Sequence, residues 1–202
     1  MFPANARILT CPHCQGKKEV MQLLSGNTFG AELWSDSKED APMLPQVSYV
    51  QKCPHCGKYF LMSSQATRET GDDWSMELGE LTYDEMKEAL GIFHNSSAYC
   101  MIPKTELSWR LTLLWVANDH YGRKGLELPE EDRELIWDNI RRLIPRVKDT
   151  LLKAELKREI GLFDEAIQTL ENHNFSSEWE QEIARGIITH AKDKDTKVFK
   201  LR

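Results

Sequence analysis

The sequence predicts a mainly α protein in which a small N-terminal β domain precedes an all-helical domain of antiparallel hairpins. Two observations lead there. A Cys-x-x-Cys tetrapeptide occurs twice before residue 57, beside short runs of β-type residues, and from Thr82 onward capped segments carry apolar residues at helical spacing. A third observation bounds the class. With 202 residues, 41% hydrophobic and 29% charged, and a mean hydropathy of -0.52, the chain has the composition of a soluble globular protein with a core of its own. No apolar run approaches the roughly 20 residues of a bilayer crossing, so no membrane partner is expected. The start, Met1-Phe2-Pro3-Ala4-Asn5-Ala6-Arg7, lacks the basic and apolar stretches of a secretory signal, and the expected location is cytoplasmic. Cysteines stay reduced there, so Cys-x-x-Cys reads as a metal-binding step before it reads as a disulfide.

The β domain is built on the duplicated motif. Cys11-Pro12-His13-Cys14-Gln15-Gly16-Lys17 is nearly repeated as Cys53-Pro54-His55-Cys56-Gly57-Lys58-Tyr59. Two sulfurs on one tight turn face one ion, a following glycine supplies the positive φ of such a turn, and two turns complete a tetrahedral shell. The first turn carries Gln15 where the second has Gly57, so its glycine comes one place later. Cys11, Cys14, Cys53 and Cys56 are therefore the expected ligands of one structural zinc ion, and tetrahedral sulfur accepts iron as well. His13 and His55 could substitute as ligands, but are read as exposed turn residues. Short strands are expected at Val20 to Leu24, around Val47 and Tyr49, and at Tyr59 to Met62.

Between the cysteine pairs, Phe29, Trp34, Met43 and Leu44 are expected to pack over the ribbon, which is too small for a full core, or else to line a ligand groove. No Gly-Lys-Ser/Thr ending follows the glycines of this loop, so it is not a phosphate cradle. The domain spans 1-65, and 66-80, with Asp72, Asp73, Glu77 and Glu80, reads as a linker.

On Cys11/Cys14, Ser25 to Ala31, Trp34-Ser35-Asp36, Met43-Leu44-Pro45 and Cys53/Cys56, the chain resembles a group of bacterial proteins that pair an N-terminal zinc ribbon with a helical C-terminal region. The resemblance covers the first third of the chain and implies that architecture, with no activity attached.

The helical domain is expected over 81-202. Thr82 and Glu85 form a capping box, with Leu81 and Met86 as its staple and Gly91 placed to stop the first helix. A second should run from Pro103 to about Tyr121, ended by Gly122 and Gly125, and is apolar nearly all round with Leu107, Trp109, Leu111, Leu113, Leu114 and Trp115. Pro129 opens a third above Glu130, Glu131 and Asp132, with a stripe of Ile136, Ile140, Leu143 and Ile144. A fourth carries Leu151, Leu152, Leu156 and Ile160. Then Gly161-Leu162-Phe163-Asp164-Glu165-Ala166-Ile167 resembles the junction inside a tetratricopeptide repeat, over one unit near 148-172, where at least three units make an array. Ser177 and Glu180 cap a last helix with Trp179, Ile183 and Ile187. The lysines from Lys192 to Lys200 read as a solvated helix end.

Charge divides the function classes. Residues 1-62 hold 6 Lys/Arg against 5 Asp/Glu, 63-145 hold 9 against 16, and 146-202 hold 11 against 11. An acidic middle disfavours wholesale nucleic-acid binding. The preferred expectation is a zinc-binding, non-enzymatic protein-interaction module. The alternative is a nucleic-acid-binding ribbon using Lys17, Lys18, Lys52 and Lys58 with Tyr59 and Phe60. A third is thiol-disulfide exchange at Cys-Pro-His-Cys, which needs the first cysteine at a helix N-terminus. No catalytic residue is assigned: Asn118 to Tyr121 read as a polar helix end, and Cys100 with His94 or His120 as a lone buried thiol.

Overall fold

A computed structural model describes residues 2-62, 69-96 and 103-201. It is mainly α, with small antiparallel strand pairs first and a helical region after them, as the sequence predicts. Two compact units divide the chain: Met1–Ala31 with Asp40–Ala89, and Glu32–Glu39 with Leu90–Arg202. No described helix is long and apolar enough to cross a membrane.

In the first unit, β1 (Phe2–Pro3) pairs with β4 (Leu23–Ser25), and β2 (Arg7–Thr10) lies between β3 (Lys17–Val20) and β9 (Glu69–Thr70). β7 (Val50–Lys52) pairs with β8 (Tyr59–Leu61). Leu9, Val20 and Phe60 bury themselves with Cys11 and Cys53, and Val47 and Met62 pack on this cluster. Alternation is the cause: Leu9 and Cys11 share one strand face, so the first ligand points into the apolar layer. The strand entering the second turn begins at Val50 rather than around Val47, and β2 lacked a sequence signal strong enough to mark it. The stretch from Glu69 to Glu80 lies along these strands: Ala6 N–H donates to the Asp73 carbonyl, Met21 N–H to Glu77 and Ser48 N–H to Leu78.

The loop between the cysteine pairs does not pack as expected. Phe29 is 82% exposed, and Met43 and Leu44 are 40% and 36% exposed. Trp34 belongs to the second unit, on the turn between β5 (Glu32–Leu33) and β6 (Glu39–Asp40). The guanidinium of Arg123 lies 5.2 Å from its ring centre, and Trp34 bridges to Lys200. Asp36 beside it is fully buried. Arg123 donates to both its carboxylate oxygens at 2.8 and 2.7 Å, and Asn118 Nδ2 donates at 2.9 Å.

Helix α1 (Tyr83–His94) begins at the expected capping box, with Glu85 N–H donating to Thr82 Oγ1 at 3.3 Å and Thr82 N–H to the Glu85 carboxylate at 3.0 Å. It runs through Gly91 to His94. The cause is tertiary: Leu90 and Phe93 are fully buried, and Phe93 packs edge-on against Trp109 with ring centres 5.2 Å apart, which outweighs the roughly 1 kcal/mol cost of a mid-helix glycine.

Helix α2 (Pro103–His120) is followed by a single 3-10 turn at Gly122–Lys124 and left-handed Gly125. Its burial is not purely apolar. Arg110 and Glu106 are buried with Trp109 and Leu113, because Arg110 Nε donates to Glu106 Oε1 at 2.9 Å and Arg110 Nη1 to Asn139 Oδ1 at 3.1 Å. Arg146 meets the other Glu106 oxygen at 2.7 Å. Spacing marks a polar side chain as outward; only partners in three dimensions permit it inside. Asn118 to Tyr121 disperse: Asn118 turns to Asp36, Asp119 pairs with Arg123 and Lys38, and His120 packs edge-on against Tyr121. His94 pairs with Asp138 at 3.1 Å, while Cys100 lies outside the described residues.

Helix α3 (Glu130–Leu143) buries Ile136, Ile140 and Leu143 as the stripe predicts, with Asn139 beside them. Asp149 caps α4 (Thr150–Glu159), accepting from Leu152 N–H at 2.7 Å. Gly161, with φ 79°, turns the chain into α5 (Phe163–Glu171), whose Ala166 is fully buried. Helix α6 (Glu178–Lys192) starts from the expected Ser177–Glu180 capping box and packs on this hairpin through Ala154, Leu170, Ala184 and Ile187. The segment after α6 is not a solvated end. Arg158 donates to the backbone carbonyls of Asp195 and Lys197, Val198 is buried, and Leu201 N–H reaches the Leu33 carbonyl at 2.8 Å.

Candidate metal centre

The two cysteine turns are the same structure made twice. In the first, Thr10 of β2 pairs with Lys17 of β3; in the second, Lys52 of β7 pairs with Tyr59 of β8. Six residues close each hairpin. Gln15 N–H donates to the Cys11 carbonyl and Gly57 N–H to that of Cys53, both at 2.9 Å, while Cys11 N–H and Cys53 N–H return bonds of 2.9 Å to Gly16 and Lys58. Gly57 therefore matches Gln15, not Gly16. Gln15 itself adopts the left-handed conformation, φ 62° against 70° at Gly57. The one-place offset of the glycine leaves the turn unchanged and puts strain on Gln15.

Gly16 has a different task. A Cβ on it would stand 2.4 Å from His55 Cδ2 and 2.8 Å from Cγ, so its bare Cα is what lets the other turn close in. The two histidines cross between turns reciprocally. His13 Nε2 donates to the Tyr59 carbonyl at 3.1 Å, and His55 Nε2 to the Lys17 carbonyl at 2.9 Å. Each stands two residues after the first cysteine of its own turn and reaches the residue six places after the first cysteine of the other. Both are exposed, as expected from the sequence, and both join the turns to each other instead of facing the sulfurs. Sequence spacing carried this signal in the +2 and +6 positions of the repeat, but not the approach that makes it readable.

All four sulfurs, Cys11, Cys14, Cys53 and Cys56, lie within 4.8 Å of one another. Cys11 to Cys56 is 3.8 Å and Cys14 to Cys53 is 3.6 Å. A tetrahedron with metal–sulfur bonds of about 2.3 Å has edges of about 3.8 Å, so the donor set fits one ion. All four are free thiols. Backbone amides already favour charge on sulfur: His13 N–H points at Cys11 Sγ and Gly16 N–H at Cys14 Sγ, each at 3.4 Å.

Four thiolates cannot crowd together without a cation, and the thiol acidities show it. Burial works to raise Cys53, yet the amides of Cys56 and His55 and the neighbouring thiols of Cys14 and Cys11 outweigh it and bring Cys53 down to about 6. The Gly16 amide favours the Cys14 thiolate, but desolvation and the other three sulfurs push Cys14 up to about 12. Burial raises Cys11. Charge is thus favoured on Cys53 and disfavoured on Cys11 and Cys14, a division that a divalent ion would replace.

The turns are braced from α1. Lys52 Nζ meets Glu85 at 2.9 Å and Tyr59 Oη donates to Glu88 at 2.7 Å. Neither contact was legible from spacing, since both close over about 30 residues. Several groups offered for nucleic acid are occupied: Lys52 is paired with Glu85, Lys18 stands 3.8 Å from Glu77, and Tyr59 and Phe60 are buried. A β-strand, not a helix, follows each Cys-Pro-His-Cys. Comparison of this chain with protein-family descriptions, with curated proteins and with solved structures gives no match.

Proposed function

We propose that Cys11, Cys14, Cys53 and Cys56 hold one structural zinc ion, and that the chain is a non-enzymatic protein-interaction module acting in the reducing cytoplasm. The carrying observation is the convergence of four free sulfurs from two matching turns at tetrahedral spacing. Four sulfur ligands leave no open position for water or substrate, which favours a fixing role over a catalytic one. A ribbon near 1-65 and a tetratricopeptide-like hairpin near 148-172 would then be the two working parts. A protein partner is favoured over nucleic acid by the surface of the first unit. Phe2, Leu24, Phe29, Trp74 and Met76 are each more than half exposed, while the aromatic pair Tyr59 and Phe60 is buried. Thiol exchange of the thioredoxin type lacks its activating helix N-terminus.

Elemental analysis of the purified chain, with chelator titration followed by circular dichroism, tests this. One zinc per chain, and loss of β signal on its removal while helicity stays, is expected. A chain that carries no metal, or whose four thiols are paired as disulfides, refutes the centre. Salt-dependent retention of oligonucleotides would refute the interaction reading in favour of the nucleic-acid one.

A further inference from the structure

The helical unit contains a cavity of about 350 Å³, at the small end of ligand-pocket volumes. Three aromatic side chains line it: Tyr121 just past α2, Trp137 of α3 and Phe163 of α5. Asn118 and Glu159 line it too, and they form a pair, with Asn118 Nδ2 donating to Glu159 Oε2 at 3.1 Å. Glu159 is 6% exposed and its Oε1 accepts no hydrogen bond. The carboxylates around it are served: Arg123 takes both oxygens of Asp36, and Arg158 takes both of Glu155 at 2.8 and 2.5 Å. A buried polar atom left open is costly unless something completes it.

Burial, then the charges of Glu155 and Asp36, raise Glu159 well above the usual carboxyl range, which favours its protonated form. A neutral carboxyl presents one O–H donor and one C=O acceptor side by side, as a carboxamide does. Such a pair matches an amino group beside a ring nitrogen, the edge by which adenine is read. Cations complete the lining. Arg133 lies 5.6 Å from the Trp137 ring centre, and Lys194 is exposed. Lys197 is already matched by Glu127 at 2.7 Å and Asp195 at 3.4 Å.

We propose that this cavity binds an adenine mononucleotide, its base among Tyr121, Trp137 and Phe163, its amino edge on Glu159 and its phosphate on Lys194 and Arg133. The terminal torsion of a glutamate is soft, so the carboxyl turns to the base without rebuilding the helix. This site is independent of the cysteine centre.

Calorimetric titration of the full, metal-loaded chain with AMP tests the assignment, with GMP, adenosine and inorganic phosphate as comparison arms. Saturable binding of one AMP, with GMP weaker by about tenfold or more, is expected. Glu159→Gln keeps the donor–acceptor pair and should keep AMP binding, whereas Glu159→Leu should lose about tenfold or more. Lys194 has a left-handed φ of 55°, so Lys194→Gly removes the cation without backbone strain; it should weaken AMP and leave adenosine unchanged. Absence of saturable AMP binding at millimolar concentration, equal affinity for GMP, full competition by phosphate alone, or wild-type binding by Glu159→Leu each overturns the proposal. If Glu159→Leu does not fold, the AMP-against-adenosine split of Lys194→Gly decides.

Discussion

Gly16→Ala should weaken zinc binding through His55, and a double-mutant cycle isolates that route. The new methyl would sit 2.4 Å from His55 Cδ2 and 2.8 Å from Cγ, so the ring must leave. Its bond to the Lys17 carbonyl, 2.9 Å long, goes with it. A net hydrogen bond is worth about 0.5–1.5 kcal/mol, and the displaced ring contact brings the cost to about 1–2 kcal/mol. In a site whose folding is linked to metal binding, that loss is read as roughly 5- to 30-fold weaker zinc binding. His55→Ala alone should cost about 0.5–1.5 kcal/mol. In the His55→Ala background the two ring contacts are gone and only the His55 Cβ, 3.1 Å away, remains, so Gly16→Ala should then cost under about 0.5 kcal/mol. Competition with a chromophoric chelator at fixed pH measures all four corners. Equal losses from Gly16→Ala in both backgrounds would refute the reciprocal histidine bridge.

The offset between the two turns gives a second expectation: Gln15→Gly relieves a left-handed φ of 62° and should stabilise the apo and zinc forms by up to about 1 kcal/mol, read by thermal unfolding. Arg158→Met should destabilise by about 3–5 kcal/mol in urea, because it leaves buried Glu155 unpaired and frees the carbonyls of Asp195 and Lys197. Stability should respond to pH with opposite signs at two glutamates. Burial would raise Glu106, but Arg146 and Arg110 outweigh it and hold its carboxyl low, so its contribution is present above the ordinary carboxyl range and is lost as pH falls through the lowered folded value. Glu159 is held high by burial and by Glu155 and Asp36, so stability falls as pH rises through its folded value. Glu159→Gln should therefore stabilise the chain most at alkaline pH, and urea midpoints between pH 5 and 9 that ignore this substitution would contradict the assignment.

The cysteine centre was readable because its information is local. Two sulfurs one turn apart define half a site whatever the chain does between them, and the repeat of the tetrapeptide supplies the other half. Capping boxes at Thr82 and Ser177 and the glycine turn at Gly161 were readable for the same reason, since each acts over three or four residues. The end of α1 was not, because Gly91 is overruled by Phe93 packing on Trp109, a contact made across a separate helix.

By itself, then, the sequence determined a mainly α chain, its β-first order, and which four thiols could share an ion, all through short-range spacing and caps. Tertiary structure alone decided that Trp34 and Asp36 join the helices, that Arg110 and Arg158 go inside, and that His13 and His55 tie the two turns together. Burial of a charge depends on a partner distant in the chain, and the hydrophobic pattern that marks a surface from a core carries no record of which partner will be there.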